Sequence, residues 1–532
     1  MKTRTLFVTA LLGLGMMASC SNDELEGVDN GQNNNGETTL TQIALSVASS
    51  ATTKAGTQGE TEFGEEEEYT VNDLTVLLAN ENGIVQQIIT PDLKPNTGES
   101  TNAAKEIRAT EPFKVTPGKY YIYVLANYNN SRVALSPIIQ GQTALKEIFS
   151  IAENSISELS ENGNFLMTNT TAPTETTIAE GSATSTEIKD DGAPETDNPQ
   201  TVQLIKVDIE RVVGKVTFNQ TTKTWTLKNA NDNSKDFASV TLNGAGLINL
   251  NKKMYLVKGS EKANNKPVAG DWAYPKDPNY DKTLTGADGE STWLTENFAN
   301  PRATITPGFT SIFYCPENTM ASAAQQNGQT TGVVYKATWT PDASNGYTTL
   351  DQNGSDVYSQ RFKSVLDKSD EDSRITSDIF TKNVSDQDSK TFYTFGDLIF
   401  KNKYAACLYK CIVEKSSADD INSAFTALVG TSGSEISDDN LEASGIYKYS
   451  DGVCYYPVWI MHNPTSEVAM EQDKYGVVRN HWYELTVTDI KKLGVNKPTY
   501  DDPDDPDDPE EVNIQVQANI KKWTRVYQNV EL

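Results

Sequence analysis

The sequence predicts an all-β chain built of tandem β-sandwich domains, and three observations predict it. The composition is rich in Thr, Asn, Gly and Tyr, with 37% hydrophobic and 22% charged residues, the balance of a soluble extracellular β protein. Many short runs alternate apolar and polar residues with a period of two. Gly, Pro, Asn and Asp turn signals divide these runs at spacings that suit two successive sandwiches better than one barrel.

The elements follow in order. Residues 1–20 read as a lipoprotein signal peptide: Lys2 and Arg4 precede an apolar run too short to span a bilayer as a mature helix. Small residues lead directly into Cys20, which resembles the lipobox of bacterial lipoproteins, where that cysteine is lipidated. The acidic residues after it resemble a surface-export signal. A polar spacer follows, then a short strand with Ile43, Leu45 and Val47 on one face. A small-residue loop next to it carries Lys54 and Ala55; a lone basic residue in an exposed loop is what a trypsin-like protease cuts, although the local sequence by itself favours a solvated linker lysine.

Residues 55–203 form the expected N-terminal sandwich. Residues 74–78 and 84–89 flank a turn at Glu81, Asn82 and Gly83 that signals a hairpin. Residues 120–126 follow Pro117 and Gly118 as a strand. Leu145, Ile148, Phe149 and Ala152 fall at helical spacing and predict one short amphipathic helix. Residues 170–200 are low-complexity and predict a long loop or linker, hence a boundary at 203/204. The C-terminal sandwich, 204–500, opens at residues 207–218. Its further strands are expected at 240–250, 311–314, 333–339, 446–449, 454–460 and 480–487. Polar insertions are expected at 231–236, 264–289 and 351–388.

Residues 501–511 repeat Asp-rich triplets ending in proline, which predicts a stiff, extended, solvated spacer. Beyond it, the even positions of residues 512–532 are apolar at eight of eleven sites, among them Val512, Ile514, Val516, Ala518, Ile520, Val526, Val530 and Leu532. Burying such a face stabilises by about 1.5–3 kcal/mol per side chain. Ordering each backbone residue costs about 1–2 kcal/mol. Side-chain burial alone therefore does not hold this strand, and it needs hydrogen-bonded neighbours on both edges. That describes a groove in a sheet that lacks one strand, and a tail that is unplaced in an isolated precursor.

Other chemistries are excluded or disfavoured. A net charge of −28 opposes nucleic-acid binding. With only His462 and His481, a histidine triad or a multi-histidine metal site is not expected, no paired-acid motif stands out, and no cofactor or metal is predicted. His481 reads as a structural histidine in the last core strand. Cys315, Cys407, Cys411 and Cys454 permit disulfides, with buried free thiols the favoured reading.

Several segments together resemble the fimbrillins, the type V pilins of Bacteroides-type bacteria, and most of all the major subunits of the minor-fimbria branch. They are the lipobox at Cys20, the loop at Thr53–Ala55, and residues 115–127, 209–215, 313–318 and 475–483. The resemblance implies two tandem transthyretin-like sandwiches with an N-terminal removable strand and a C-terminal donor strand. It also implies a mechanism. A lipid-anchored outer-membrane precursor is cut after a basic residue, here Lys54, where the family commonly has Arg. The strand bearing Ile43, Leu45 and Val47 leaves, and another copy's tail fills the groove. Carrying both strands, the chain reads as a shaft subunit in a homopolymer, with anchor and tip subunits as further partners and roles in adhesion and biofilm formation. The alternative is a monomeric surface glycan-binding lipoprotein, whose Trp and Tyr residues would stack on sugars.

Overall fold

Local chemistry sets the first hairpin. Asn80 folds its side-chain carbonyl over the turn, accepting from the amides of Asn82 and Ile84 at 3.0 Å each. Gly83 takes φ +77°, a conformation open to glycine. The strands Leu74–Ala79 and Val85–Ile89 are thereby joined antiparallel. The structure, a computed structural model, describes residues 38–47, 61–95, 107–128, 138–142, 148–150, 158–161, 163–170, 173–190, 192–251, 253–255, 274–281, 305–368, 372–382, 390–431, 435–498, 504–508 and 513–524.

The chain is β-built, as its sequence predicts. The N-terminal half is hydrogen-bonded as one ten-stranded sheet. Its main path runs Val85–Ile89, Leu74–Ala79, Gly118–Ala126, Met167–Asn169, Thr201–Arg211, Thr39–Val47 and Ile107–Ala109. Ile43, Leu45, Leu74, Val76, Val124 and Ile209 meet in its core. The C-terminal half is a sandwich of two sheets. One carries Val213–Phe218, Phe313–Pro316 and His481–Ile490, the other Asp232–Ile248, Gly332–Pro341 and Val453–Trp459. Val216, Tyr483 and Leu485 from the first meet Val240, Tyr335 and Trp339 from the second in a shared core.

Four expectations are corrected. The boundary at 203/204 falls inside the strand Thr201–Arg211, which pairs with Thr39–Val47 and with Met167–Asn169. The chain changes sheets at Val212, because the alternation continues past the low-complexity segment and completes the first sheet. Residues 170–200 are no free linker: Glu175–Ile178 pairs with Gly118–Ala126, Ser185–Thr186 pairs with Thr201–Arg211, and Ile178 and Ile188 are buried. Where a helix is expected, Ile148–Ser150 is a strand paired with Lys253–Tyr255. Ile and Phe favour extended backbone, and three residues do not separate the two periods. Within and beyond the polar insertion at 351–388, helices span Val357–Leu366, Lys403–Glu414, Ala418–Val429 and Asp438–Ala443. Asp356, Asn402, Ser417 and Ser437 cap their N-termini, and Phe362, Leu408, Ile412, Ile421 and Phe425 form their own core.

The acidic segment gives a fifth correction: residues 504–508 lie on the C-terminal sandwich rather than extending into solvent. Asn327 donates its amide to the Asp505 carbonyl at 2.9 Å, and Asp507 donates its own to Gln325 at 3.1 Å. Asp507 is buried, accepting from the Thr330 hydroxyl. Asp508 takes Lys474 Nζ at 2.7 Å, the Tyr475 hydroxyl at 2.7 Å and the Met470 amide at 2.6 Å. Charge-assisted donors reward docking more than the like charges of the segment oppose it. Burial disfavours the Asp508 carboxylate, but these donors outweigh burial and hold its carboxyl below the usual range. Burial instead pushes Asp507 well above that range.

The two halves meet at a buried ion pair. Lys215 Nζ lies 2.7 Å from Glu68 Oε1, each about 2% exposed. Tyr314 donates its hydroxyl to the same carboxylate at 2.5 Å, and Arg211 Nε donates to the Glu68 carbonyl at 2.6 Å. Arg211 reaches on to the Asn480 side chain at 2.9 Å, and Lys215 stacks 3.9 Å over Trp482.

Two outcomes are expected. Lys215→Met leaves Glu68 buried without its cation and lowers unfolding free energy by about 3–5 kcal/mol. Adding Glu68→Gln recovers part of the loss, both read from denaturant midpoints, and an unchanged midpoint contradicts the role given to the pair. Asp508→Asn speeds hydrogen exchange at the Met470 amide relative to the parent chain. Because the folded Asp508 pKa is depressed, its contribution is complete above the ordinary carboxylate range and is lost as pH falls through the depressed value. The difference between the two proteins should close over that fall.

Candidate functional site

The first strand, Thr39–Val47, is bounded on both edges. Thr201–Arg211 runs parallel beside it, with Thr41 opposite Gln203 and Val47 opposite Ile209. Its other edge is shared by two short antiparallel strands, Ile107–Ala109 opposite Ser46–Ala44 and Phe113–Val115 opposite Thr41–Thr39. Between them Thr110 donates its amide to the Ile43 carbonyl at 3.0 Å and accepts the Ile43 amide on its hydroxyl at 3.1 Å.

Both faces are covered as well. Ile43 and Leu45, each 1% exposed, enter the main core, as their alternation predicts. On the opposite face Ala44 packs against Ala109, Ile188 and Leu204. Gln42 lies beside it, fully buried. Its amide nitrogen donates to the Thr110 carbonyl at 2.9 Å and the Ile188 carbonyl at 2.8 Å, and its oxygen accepts the Ile188 amide at 2.8 Å. The segment bearing Ile188 is itself fastened: Glu187 pairs with Lys94 at 2.5 Å and Asp190 with Arg108 at 2.6 Å. Sequence reasoning missed Gln42, Thr110 and Ile188. The available signal was a glutamine in the alternation beside Ile43, where a solvated strand face would carry any polar residue.

The C-terminal strand, Ile514–Thr524, is placed, and this corrects the expectation of a free tail. It pairs antiparallel with His481–Ile490, setting Ile514 opposite Ile490, Val516 opposite Val487 and Ile520 opposite Tyr483, with a bulge at Thr488. Ile514 is 8% exposed, and Val516 and Ala518 pack against the C-terminal core. Gln515 and Gln517 face solvent. The even-numbered apolar face finds cover on its own sandwich because the docked acidic segment returns the chain to that open sheet edge. Its second edge is paired at Lys522–Thr524, with Thr61–Phe63.

The structure therefore holds the first strand and the C-terminal strand in different sheets and does not bring them together. Cys20, Lys54, Ala55, Val512, Val526, Val530 and Leu532 lie outside the described residues, as do the side chains of Val47 and Ile520.

The other singled-out residues are interior. His462 Nδ1 lies 2.8 Å from the Tyr483 hydroxyl, and His481 Nδ1 lies 2.9 Å from the Arg479 carbonyl, both rings buried. The four cysteines are free and buried; burial pushes Cys315, Cys407 and Cys454 up to about 12 and Cys411 to about 11. Such thiols are inert. Among the described residues Trp339 and Trp459 are buried, which leaves these two rings unavailable as a sugar platform, and the half-buried Trp225 packs against the core.

Known proteins bear on both strands. Residues 41–206 match the family model described as major fimbrial subunit protein (FimA). Residues 447–529 match the one described as major fimbrial subunit protein type IV, fimbrillin, C-terminal. The first match takes in most of the first strand and the first six residues of its long neighbour, and the second takes in the C-terminal strand. Comparison with curated proteins returns no match. Among solved structures, a fimbrilin of Porphyromonas gingivalis W83 is 13% identical over 92% of this chain and 99% of its own, with a TM-score of 0.41. A candidate cell adhesion protein of Bacteroides eggerthii DSM 20697 is 14% identical over 93% and 98%, with a TM-score of 0.38. A C-terminally truncated tip fimbrial protein of Porphyromonas gingivalis is 12% identical over 91% and 100%, with a TM-score of 0.27. Toward its two ends, over residues 41–206 and 447–529, the chain is thus similar to fimbrial subunits of the fimbrillin type.

Proposed function

We propose that this chain is the shaft subunit of a cell-surface fimbria, of the minor-fimbria branch, and that its copies join by exchanging strands. It is exported as an outer-membrane lipoprotein acylated at Cys20 and cut between Lys54 and Ala55 by a trypsin-like protease. The first strand leaves with the lipid, and the C-terminal strand of another copy enters its place. A contact between two different surfaces of one chain does not close on itself and extends into a filament. The fibre serves adhesion and biofilm formation, with anchor and tip subunits at its ends. A structural subunit of this kind needs no catalysis.

The observation that carries the reading is the setting of Thr39–Val47. It is hydrogen-bonded along both edges and buried on both faces, yet it lies close to the start of the chain. Its loss would leave a groove of the kind an alternating strand requires. In the unprocessed chain the C-terminal strand rests on its own sandwich, and among the described residues only Lys522–Thr524 are paired on its second edge, an arrangement suited to storage before transfer. The glycan-binding alternative gives no role to either strand.

Lys54→Ala should leave lipid-bearing monomers and no fimbriae by electron microscopy, and fimbriae from that variant contradict the cut site. Removal of residues 512–532 should yield folded chains that form no ladder of SDS-resistant oligomers after trypsin trimming. Ladders from the truncated chain contradict the donor role.

A further inference from the structure

Departure of the first strand would uncover more than an apolar groove. Gln42 satisfies three buried backbone groups: the carbonyls of Thr110 and Ile188 and the amide of Ile188. Removing one partner from a buried hydrogen bond costs more than the bond itself contributes. An incoming strand must therefore place a carboxamide at that point. It must also keep charge off the opposite row, where Thr39, Thr41, Ile43 and Leu45 are each at most 2% exposed.

We propose that Gln515 of the incoming copy occupies the Gln42 position and thereby fixes the register of exchange; this rests on the strand-exchange reading above. The polar row of the C-terminal segment offers Asn513, Gln515, Gln517 and Asn519. With Gln515 in place and the direction of the first strand kept, Val512, Ile514, Val516, Ala518 and Ile520 fall at positions 39, 41, 43, 45 and 47. All five are apolar. Asn513 in the same position brings Glu510 to the buried site of Thr39. Gln517 brings Lys522 to position 47, where the backbone register sets the fully buried Ile209 opposite, and Asn519 brings Lys522 to the site of Leu45. Reversing the strand would make Gln517 the matching residue, but it would also change the ladder type on both edges. The neighbours' backbone groups are set for a parallel partner on one side and an antiparallel one on the other. The stored state gives Gln515 no burial that would require a carboxamide, since its side chain is exposed there.

The test is trypsin trimming of the purified full chain, followed by the time course of SDS-resistant ladder formation, for the parent and for Gln515→Leu, Gln517→Leu and Asn519→Leu. The melting temperature of each untrimmed chain is measured alongside. Ladder formation is expected to slow at least tenfold for Gln515→Leu and less than threefold for the other two, with the melting temperatures of all untrimmed chains alike. Slowing confined to Gln517→Leu overturns the register, since the strand then enters either two residues along or reversed. Equal rates for all variants overturn the role of the carboxamide while leaving strand exchange standing. Absence of any ladder from the parent chain overturns strand exchange, and the register with it.

Discussion

The double-edged hydrogen bonding of Thr39–Val47 is the constraint on which the N-terminal half depends. A strand at a sheet edge could leave and expose one row of backbone groups to water. This one separates Thr201–Arg211 from the short strands on its far side, and its Ile43 and Leu45 side chains lie in the main core. Nothing else among the described residues joins those neighbours into one sheet at that point. The half is therefore complete only with a strand there, whichever chain supplies it, because buried backbone amides and carbonyls without partners are too costly to persist.

The C-terminal half solves the opposite problem. An alternating segment with an apolar face is an aggregation hazard when left free. Here the face is turned onto the edge of His481–Ile490, and the carboxylates before it are drawn down by Lys474, the Tyr475 hydroxyl and nearby amides. Between the halves, Glu68, Lys215, Arg211 and Tyr314 form a buried polar joint. Such pairs are weak contributors to net stability but poorly tolerant of a missing partner, and so they favour one relative arrangement of the sheets around them.

Much of this was legible from residue order. Period-two alternation located most strands, the turn at Glu81–Gly83 located a hairpin, and Ile43 and Leu45 pointed inward as their spacing required. What escaped was decided by partners distant in sequence. The helices at Lys403–Glu414 and Ala418–Val429 carried their signals openly, in the caps Asn402 and Ser417 and the spacing of Leu408, Cys411 and Ile412. They lie between the polar insertion at 351–388 and the strand expected at 446–449, a stretch in which the period-two pattern predicts no element. The acidic segment looked solvated because its own residues repel one another; the cations and amides that hold it lie some thirty or more positions earlier. Gln42 looked like a surface residue because its three partners come from residues 110 and 188.

The account stands or falls on whether one strand is surrendered and replaced in the assembled fibre. The most direct measurement is the N-terminal sequence, by mass spectrometry, of subunits taken from purified filaments. The account predicts polypeptides that begin at Ala55 and carry no acyl group. Filament subunits that begin at an acylated Cys20, with residues 39–47 still attached, would contradict it.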